Sequence, residues 1–257
     1  MSTRLVVTFA VLGTLLAAPA FAALGDVVGS FRAPGTSVRG LARSSTRLHI
    51  LIYGNPTTIY RLAPVSGAVY GSWQPSFGNN CRGLAFSTPN RLWVGCYSDD
   101  RVYECRSTNG SVFGSWNAAN NAYGVAPYCT GDGGAGTTAI FTSDTNPTAF
   151  CWRHNMVTGS VLASFPTPVR SFFDIAWDHR NRLIWMGDLS NVIYGYDTAG
   201  SVAASFPAPA TYPYGMAYYG QYLWVGCDGN DYVYRVHCPG TLAVAPASLG
   251  RVKALFR

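Results

Sequence analysis

The stretch that decides the fold runs from residue 82 to residue 116 and reads Arg-Gly-Leu-Ala-Phe-Ser-Thr-Pro-Asn-Arg-Leu-Trp-Val-Gly-Cys-Tyr-Ser-Asp-Asp-Arg-Val-Tyr-Glu-Cys-Arg-Ser-Thr-Asn-Gly-Ser-Val-Phe-Gly-Ser-Trp. It contains four apolar-rich runs: a small Gly-Leu-Ala step, an apolar Leu-Trp-Val-Gly run, a Val-Tyr run and a Gly-Ser-Trp ending. Short apolar runs bounded by Gly, Pro, Asn and Asp are typical of β-strands. The stretch therefore predicts a unit of four antiparallel strands.

The same template recurs along the chain every 41 to 49 residues. The aromatic residue of its ending returns at Phe31, Trp73, Trp116, Phe165 and Phe206. The small step returns as Gly40–Ala42, Gly83–Ala85, Gly124–Ala126, Asp174–Ala176 and Gly215–Ala217. A period of this length with four strands per unit indicates β-propeller blades. A β-sandwich would not repeat one template five times, and a β-solenoid usually has a shorter repeat.

We therefore predict an all-β fold, a five-bladed β-propeller with four antiparallel strands per blade, over residues 23–245. The blades are expected near residues 38–74, 82–117, 122–166, 172–207 and 214–242. The fifth blade then lacks its outermost strand, whereas residues 25–31 form an outer strand without a blade. We expect this N-terminal strand to latch the last blade and remove an exposed edge. The alternative is that residues 241–246 fill that place.

Residues 1–22 have the pattern of a secretory signal peptide. Arg4 is followed by a nearly continuous apolar run from Leu5 to Leu16, and Ala20-Phe-Ala22 is a small-x-small cleavage site. The alternative, a membrane anchor, needs about 20 apolar residues, and this run is shorter. We predict a secreted protein, extracellular or periplasmic, with no membrane span after cleavage.

Residues 246–257 form a basic amphipathic tail of a different character. Val252, Leu255 and Phe256 fall on one face of a helix. One interpretation is a segment that packs on the body or frays; the other is a docking or sorting signal. The residues that would dock a partner are Arg251, Lys253, Leu255, Phe256 and Arg257.

The composition restricts function as well as fold. Only 12% of residues are charged, about half the usual share, with Lys253 the single lysine and Glu104 the single glutamate. Coiled coils, helical bundles and catalytic pairs of glutamates are therefore excluded. The net charge is +6, but the arginines are scattered and secretion makes nucleic acid an improbable partner. A surface rich in Tyr, Asn, Ser and Thr suits contact with an extracellular glycan or a protein surface.

The seven cysteines include one predicted disulfide. If Phe86 faces Arg91 across the turn of the second unit, Cys81 lies opposite Cys96, at a distance that a disulfide can bridge. Cys227 matches Cys96 in the repeat, but Pro213 occupies the position of its partner. The cysteines that we cannot pair are Cys105, Cys129, Cys151, Cys227 and Cys238.

One ring of positions is a candidate ligand-binding site. The residues that immediately precede the five small steps are Arg39, Arg82, Tyr123, Phe173 and Tyr214. If the small step is the innermost strand, these side chains meet at the mouth of the central channel. Two guanidiniums beside three aromatic rings would bind a carboxylate, a phosphate or a sugar. The alternative is that they plug the end of the axis.

Residues 28–242 resemble secreted bacterial propellers of the NHL/YVTN and glutamine-cyclotransferase-like superfamily. The resemblance rests on the motif order Gly-Leu-Ala, Leu-Trp-Val, Val-Tyr and Gly-Ser-Val. Cyclotransferases of this type are five-bladed and use a glutamate at the channel mouth. Here Glu104 follows Tyr103 in the third strand of the second unit, away from the axis, so the resemblance does not carry over the catalytic residue. Related gluconolactonase-type propellers hold an axial metal through Glu, Asn and Asp. Asp174 alone supplies too few oxygen ligands for a hard cation.

Catalytic motifs are scarce. The sequence has no GxSxG, no HExxH and no phosphate-binding loop with a lysine, and we expect no metal and no cofactor. Asp174 is the one weak candidate for an axial general base. The glycine-rich segment 131–136 is interpreted as an enlarged surface hairpin. Three classes remain: a binding or protein-interaction module, which we favour; a lyase-, lactonase- or cyclotransferase-like enzyme at the channel mouth; and a structural component of an extracellular assembly.

Overall fold

The computed structural model describes residues 22–78, 80–88, 90–119, 121–144, 149–167 and 174–240. Phe173, residues 1–21 of the predicted signal peptide, the segment 241–246 and the tail lie outside the described residues. Among the residues that the structure describes, no helix is long and apolar enough to cross a membrane.

The described residues form five four-stranded antiparallel sheets. Blade one contains β2 (Val38–Arg43), β3 (Leu48–Ile52), β4 (Thr58–Leu62) and β5 (Val69–Trp73). Blade two contains β6 (Cys81–Thr88), β7 (Arg91–Cys96), β8 (Arg101–Arg106) and β9 (Val112–Asn117). Blade three contains β10 (Gly124–Tyr128), β11 (Ala139–Ser143), β12 (Phe150–Asn155) and β13 (Val161–Pro166). Blade four contains β14 (Ile175–Asp178), β15 (Leu183–Gly187), β16 (Val192–Tyr196) and β17 (Val202–Pro207). Blade five contains β18 (Pro213–Tyr219), β19 (Tyr222–Cys227), β20 (Tyr232–His237) and β1 (Val27–Arg32).

The predicted five-bladed propeller is confirmed, including its closure. β1 pairs with β20 in antiparallel register, with Phe31 opposite Val233. The N-terminal strand thus completes the last blade and covers an edge that would otherwise be open.

The small steps lie on the innermost strands, where the backbones of neighbouring blades approach one another closely. A Cβ on Gly40 would lie 2.4 Å from the Arg82 carbonyl oxygen, and one on Gly83 would lie 2.6 Å from the Tyr123 carbonyl oxygen. Only glycine fits such contacts. Apolar layers fill the space between each pair of adjacent blades.

The aromatic endings pack on turn glycines of the next blade. A Cβ on Gly110, which has φ +75°, would lie 2.4 Å from the Trp73 ring. The same contact joins five pairs around the ring: Phe31 with Gly67, Trp73 with Gly110, Trp116 with Gly159, Phe165 with Gly200, and Phe206 with Gly25. The aromatic endings and the turn glycines therefore form one repeated interface between blades, and its fifth copy uses the chain's N-terminal segment.

Candidate functional site

The mouth of the propeller is the end at which the innermost strands begin. Arg39 and Arg82 are the second residues of β2 and β6, and Tyr214 is the second residue of β18. Tyr123 precedes β10. These four side chains reach the same end of the axis. We call them, together with Tyr53 and Tyr97, the mouth cluster.

Arg82 is surrounded by tyrosine rings. Its guanidinium carbon lies 4.9 Å from the centroids of Tyr53 and Tyr123 and 5.7 Å from that of Tyr97. Its Nε and Nη2 donate to the Asn80 side-chain oxygen at 3.2 and 3.1 Å. The guanidinium is therefore fixed in orientation by stacking and by a forked hydrogen bond.

Arg39 is held in a similar way, with a carboxylate added. Its guanidinium carbon lies 4.3 Å from the Tyr214 ring and 5.8 Å from the Tyr53 ring. Its Nη2 forms an ion pair with Asp228 at 3.1 Å and donates to Ser37 at 3.2 Å. Tyr53 therefore lies between the two guanidiniums and joins them into one cluster.

Tyr53 and Tyr97 were not predicted as site residues. Each follows directly after the second strand of its blade, in the turn that leads to the third strand. Tyr53 in blade one and Tyr97 in blade two occupy equivalent positions of the repeat. That coincidence was the signal that could have found them.

The predicted Cys81–Cys96 disulfide is present. The register assumed for it was wrong: Phe86 faces Leu92, because bulges lie at both ends of the pairing, yet Cys81 still faces Cys96. Arg82 and Tyr97 directly follow the two cysteines, so the disulfide ties two members of the mouth cluster together. Pro213 faces Cys227, as predicted.

The other five cysteines are buried and outside any disulfide in the structure. Burial raises the pKa of Cys129 to about 11 and that of Cys105 and Cys227 to about 12. A thiol that stays protonated is a poor nucleophile. These cysteines act as small apolar core residues.

Asp174 lies at the glycine position of the small step in blade four. Its Oδ2 accepts hydrogen bonds from the backbone N–H groups of Leu41 at 3.0 Å and Met216 at 3.1 Å. Its Oδ1 accepts one from Val125 at 3.4 Å. One carboxylate thus links the innermost strands of blades one, three and five to its own blade.

Asp174 is fully buried, and desolvation raises its pKa well above the usual range, although the backbone N–H groups of Leu41, Met216, Ile175 and Val125 oppose that rise. Its oxygens face these backbone donors. The arrangement suits a structural hub. Among the described residues, no group of three or more His, Cys, Asp or Glu side chains could hold a metal ion.

The opposite end of the axis is covered by the glycine-rich segment of blade three. This segment connects β10 to β11, as a hairpin loop should, but it also folds over the axis. Asp132 accepts a hydrogen bond from the Gly220 N–H at 2.8 Å and approaches His179 and Arg180 at 3.6 Å. Gly134 has φ +84°, and a Cβ there would lie 2.3 Å from the Phe86 carbonyl oxygen.

Two open grooves flank this cap. One, of about 420 Å³, is lined by Ser87, Arg91, Glu104 and the cap itself. Glu104 pairs with Arg91 at 3.1 Å and accepts from the Ser87 hydroxyl at 3.4 Å. As predicted, the single glutamate lies away from the axis, but its side chain lines the groove beside the cap. The second groove, of about 360 Å³, lies between blades five and one.

Comparisons with known proteins match this chain by structure alone. No protein-family model matches it, and no curated protein matches it by sequence. The crystal structure of Myxococcus xanthus glutaminyl cyclase is similar, with a TM-score of 0.67, 13% identity, and coverage of 83% of this chain and 95% of that one. The crystal structure of a mitotic checkpoint complex is more distant, with a TM-score of 0.49, 14% identity, and coverage of 77% and 63%. The first similarity establishes a shared propeller fold and gives no specific support for the NHL/YVTN group.

Proposed function

We propose that the chain is a secreted, non-catalytic β-propeller that binds an anionic glycan at the mouth cluster. The observation that carries the proposal is the pair of guanidiniums, Arg39 and Arg82, stacked on tyrosine rings at one end of the axis. A guanidinium that stacking already orients loses little freedom when it binds a carboxylate. The tyrosines add apolar faces and hydroxyl groups for a sugar ring.

Two further features support the proposal. A disulfide is compatible with an oxidising compartment outside the cytosol. The axial carboxylate, Asp174, is engaged by backbone donors from three other blades. Using it as a general base would disrupt the contacts that hold those blades together, which favours binding over catalysis at the axis.

The test is calorimetric titration of oligogalacturonate, and of a neutral oligosaccharide of equal length, into the purified protein. We expect Arg82→Gln to weaken oligogalacturonate binding about tenfold, the size of one lost charge-assisted hydrogen bond. Arg32→Gln is the matched control, since Arg32 is exposed at the mouth side but outside the cluster. Equal affinity in Arg82→Gln and Arg32→Gln, or equal binding of the neutral sugar, would refute the proposal.

A second candidate is a cyclotransferase-like enzyme that acts at the Glu104 groove. The observation in its favour is that the chain's only glutamate lines an open groove beside a serine hydroxyl, in a fold shared with a glutaminyl cyclase. Its test is release of ammonia from a peptide with N-terminal glutamine. Activity that Glu104→Gln abolishes would establish this function in place of the first.

The third predicted class, a structural component docked through the tail at residues 246–257, stays a prediction, because that segment lies outside the described residues. A pull-down that depends on Arg251 and Phe256 would support it.

A further inference from the structure

The face opposite the mouth has a groove with an unusual lining. Three arginines, Arg43, Arg180 and Arg235, meet three aromatic side chains there. The aromatic lining residues are Tyr219, Tyr222 and Trp224. Among the described residues that line this groove none is acidic, although Asp132 approaches the Arg180 guanidinium at 3.6 Å and Asp178 accepts from the Arg180 N–H at 3.0 Å. Its charge is complementary to a small anion such as a phosphate group.

Two of the three groove arginines are stacked on aromatic rings. The Arg43 guanidinium carbon lies 4.6 Å from the Tyr219 ring and 5.1 Å from the Trp224 ring, and that of Arg235 lies 4.9 Å from Tyr222. The same pairing recurs outside the groove, where Arg47 lies 4.2 Å from Tyr70 and Arg91 lies 4.3 Å from Phe113. Each pair presents an apolar ring beside a cation, which is the amphipathic character that suits a lipid headgroup region.

Exposed apolar side chains accompany these arginines. Five of them form what we call the apolar rim, on blades one to three: Val65, Tyr70, Phe113, Val157 and Leu162. Their exposure ranges from 44% to 77%. Val65 lines the groove itself. Leu162 occupies the position in blade three that Tyr70 and Phe113 occupy in blades one and two. Repeat-equivalent positions lie at equal height on a propeller, so these side chains meet a flat surface together.

The two ends of the propeller also differ in charge. At the mouth the turns between second and third strands hold six aspartates, Asp99, Asp100, Asp144, Asp188, Asp228 and Asp231, against four arginines at the strand ends there, Arg32, Arg39, Arg82 and Arg101. The turns of the opposite face and the strand ends beside them hold six arginines: Arg43, Arg47, Arg91, Arg106, Arg180 and Arg182. Five acidic residues accompany these arginines: Asp26, Asp132, Asp178, which is buried, Asp197, and Glu104, which pairs with Arg91. An anionic surface therefore attracts the opposite face more than the mouth.

We propose that this face docks on an anionic phospholipid bilayer, with a headgroup phosphate in the groove of Arg43, Arg180 and Arg235 and the apolar rim inserted among the headgroups. A cationic surface alone would fit any polyanion. The apolar rim distinguishes a bilayer from a polyanion such as a polysaccharide or a nucleic acid, because a bilayer removes these side chains from water and a purely charged polymer does not. In this orientation the mouth cluster faces away from the membrane and stays open to its ligand.

The test is co-sedimentation of the purified mature chain, residues 23–257, with vesicles of phosphatidylcholine, pure or with 30% phosphatidylglycerol (roughly the anionic fraction that gives a strong surface potential). We expect binding to the anionic vesicles only. Phe113→Ser with Leu162→Ser should weaken it about tenfold, from the lost apolar insertion. Arg180→Gln with Arg235→Gln should weaken it by about ten- to thirtyfold, at roughly fivefold for each charge near the surface.

The matched control is Leu189→Ser with Tyr232→Ser, two exposed apolar side chains on the mouth side, which should bind vesicles as the wild type does. All variants keep the same basic tail, so binding driven by the tail would leave the rim and groove variants unchanged and overturn the proposal. Absence of binding to anionic vesicles overturns it too. If dextran sulfate competes fully and the rim variants bind normally, the face recognises a polyanion and the bilayer proposal is wrong. Arg82→Gln should bind vesicles normally, so this test is independent of the glycan proposal.

Discussion

The two ends of the propeller use the same residue types in opposite ways. At the mouth, arginines and tyrosines are packed into one another, and the Cys81–Cys96 disulfide lies beside them. At the opposite end, arginines lie over aromatic rings on an open surface, with two grooves between the turns. The mouth is built from repeat positions that face the axis, whereas the opposite face is built from turns that vary between blades. A preorganised small-ligand site and a broad docking surface are the functions that suit these two constructions.

The largest expected effect concerns Asp174, which lies between the two ends. Asp174→Ala leaves the backbone N–H groups of Leu41, Val125 and Met216 without their acceptor in a buried site. At roughly 1–3 kcal/mol for each orphaned donor, we expect a loss of about 4 kcal/mol in the free energy of unfolding, measured by urea denaturation.

Asp197→Ala is the control, because Asp197 accepts from backbone groups in an exposed turn, and it should cost about 1 kcal/mol or less. If Asp174→Ala costs no more than the control, the carboxylate is no hub and a catalytic role for it regains support.

The second prediction separates the mouth from the opposite face. Replacing Cys81 and Cys96 with serine opens a link between residues 15 apart, which should cost about 3 kcal/mol of stability by the chain-entropy relation. Because Arg82 and Tyr97 adjoin these cysteines, glycan affinity should fall as well. Vesicle binding should stay unchanged, and a parallel loss of both activities would show that the two ends are not independent.

The third prediction concerns His49, in the half of blade one near the opposite face. Burial lowers the pKa of His49 to about 4, against 6.5 in an unfolded chain, although its contact with the Ser107 carbonyl opposes the shift. Below pH 6.5 the unfolded chain takes up a proton that the native state refuses. Stability should therefore fall by about 2 kcal/mol between pH 7 and pH 5.

His49→Gln should lack this part of the pH dependence, while the contribution of His154, whose pKa burial also lowers, is common to both proteins. Denaturation curves at the two pH values measure the difference. Equal slopes in wild type and variant would mean that His49 titrates normally in the native state.

The smallest effects compare two arginines, one from each end. Arg82→Gln removes a guanidinium packed against three tyrosine rings and should cost about 1 kcal/mol. Arg47→Gln removes one that is exposed over Tyr70 and should cost less than about 0.5 kcal/mol. Thermal melts of the two variants test whether the mouth is the more tightly packed end. A larger loss of stability in Arg47→Gln than in Arg82→Gln would contradict that interpretation.

The architecture could be predicted from the sequence because the repeat encodes it many times over. Glycine marks the crowded innermost strand in four blades, and the aromatic endings mark the blade interfaces in all five. The orphan strand at residues 25–31 followed from counting strands. The Cys81–Cys96 pair was predicted despite a wrong register, because one bulge compensated for another.

The site could be predicted only where it coincides with the repeat. Arg39, Arg82, Tyr123 and Tyr214 follow from their equivalent positions, and the structure brings them together. The function of Asp174 could not be read from its residue type, since a carboxylate serves equally as a base or as an acceptor for backbone groups. The cap formed by segment 131–136 has no counterpart in the other blades, so no repeat position could locate it.

The most direct test of the account is hydrogen–deuterium exchange of the wild-type protein with oligogalacturonate alone and with anionic vesicles alone. We predict that the oligosaccharide slows exchange in the mouth turns at residues 53–57 and 97–100, and that vesicles slow exchange at residues 63–70, 107–113 and 156–162. Protection of the same face by both ligands, or protection of the mouth by vesicles, would contradict the assignment of separate binding functions to the two ends.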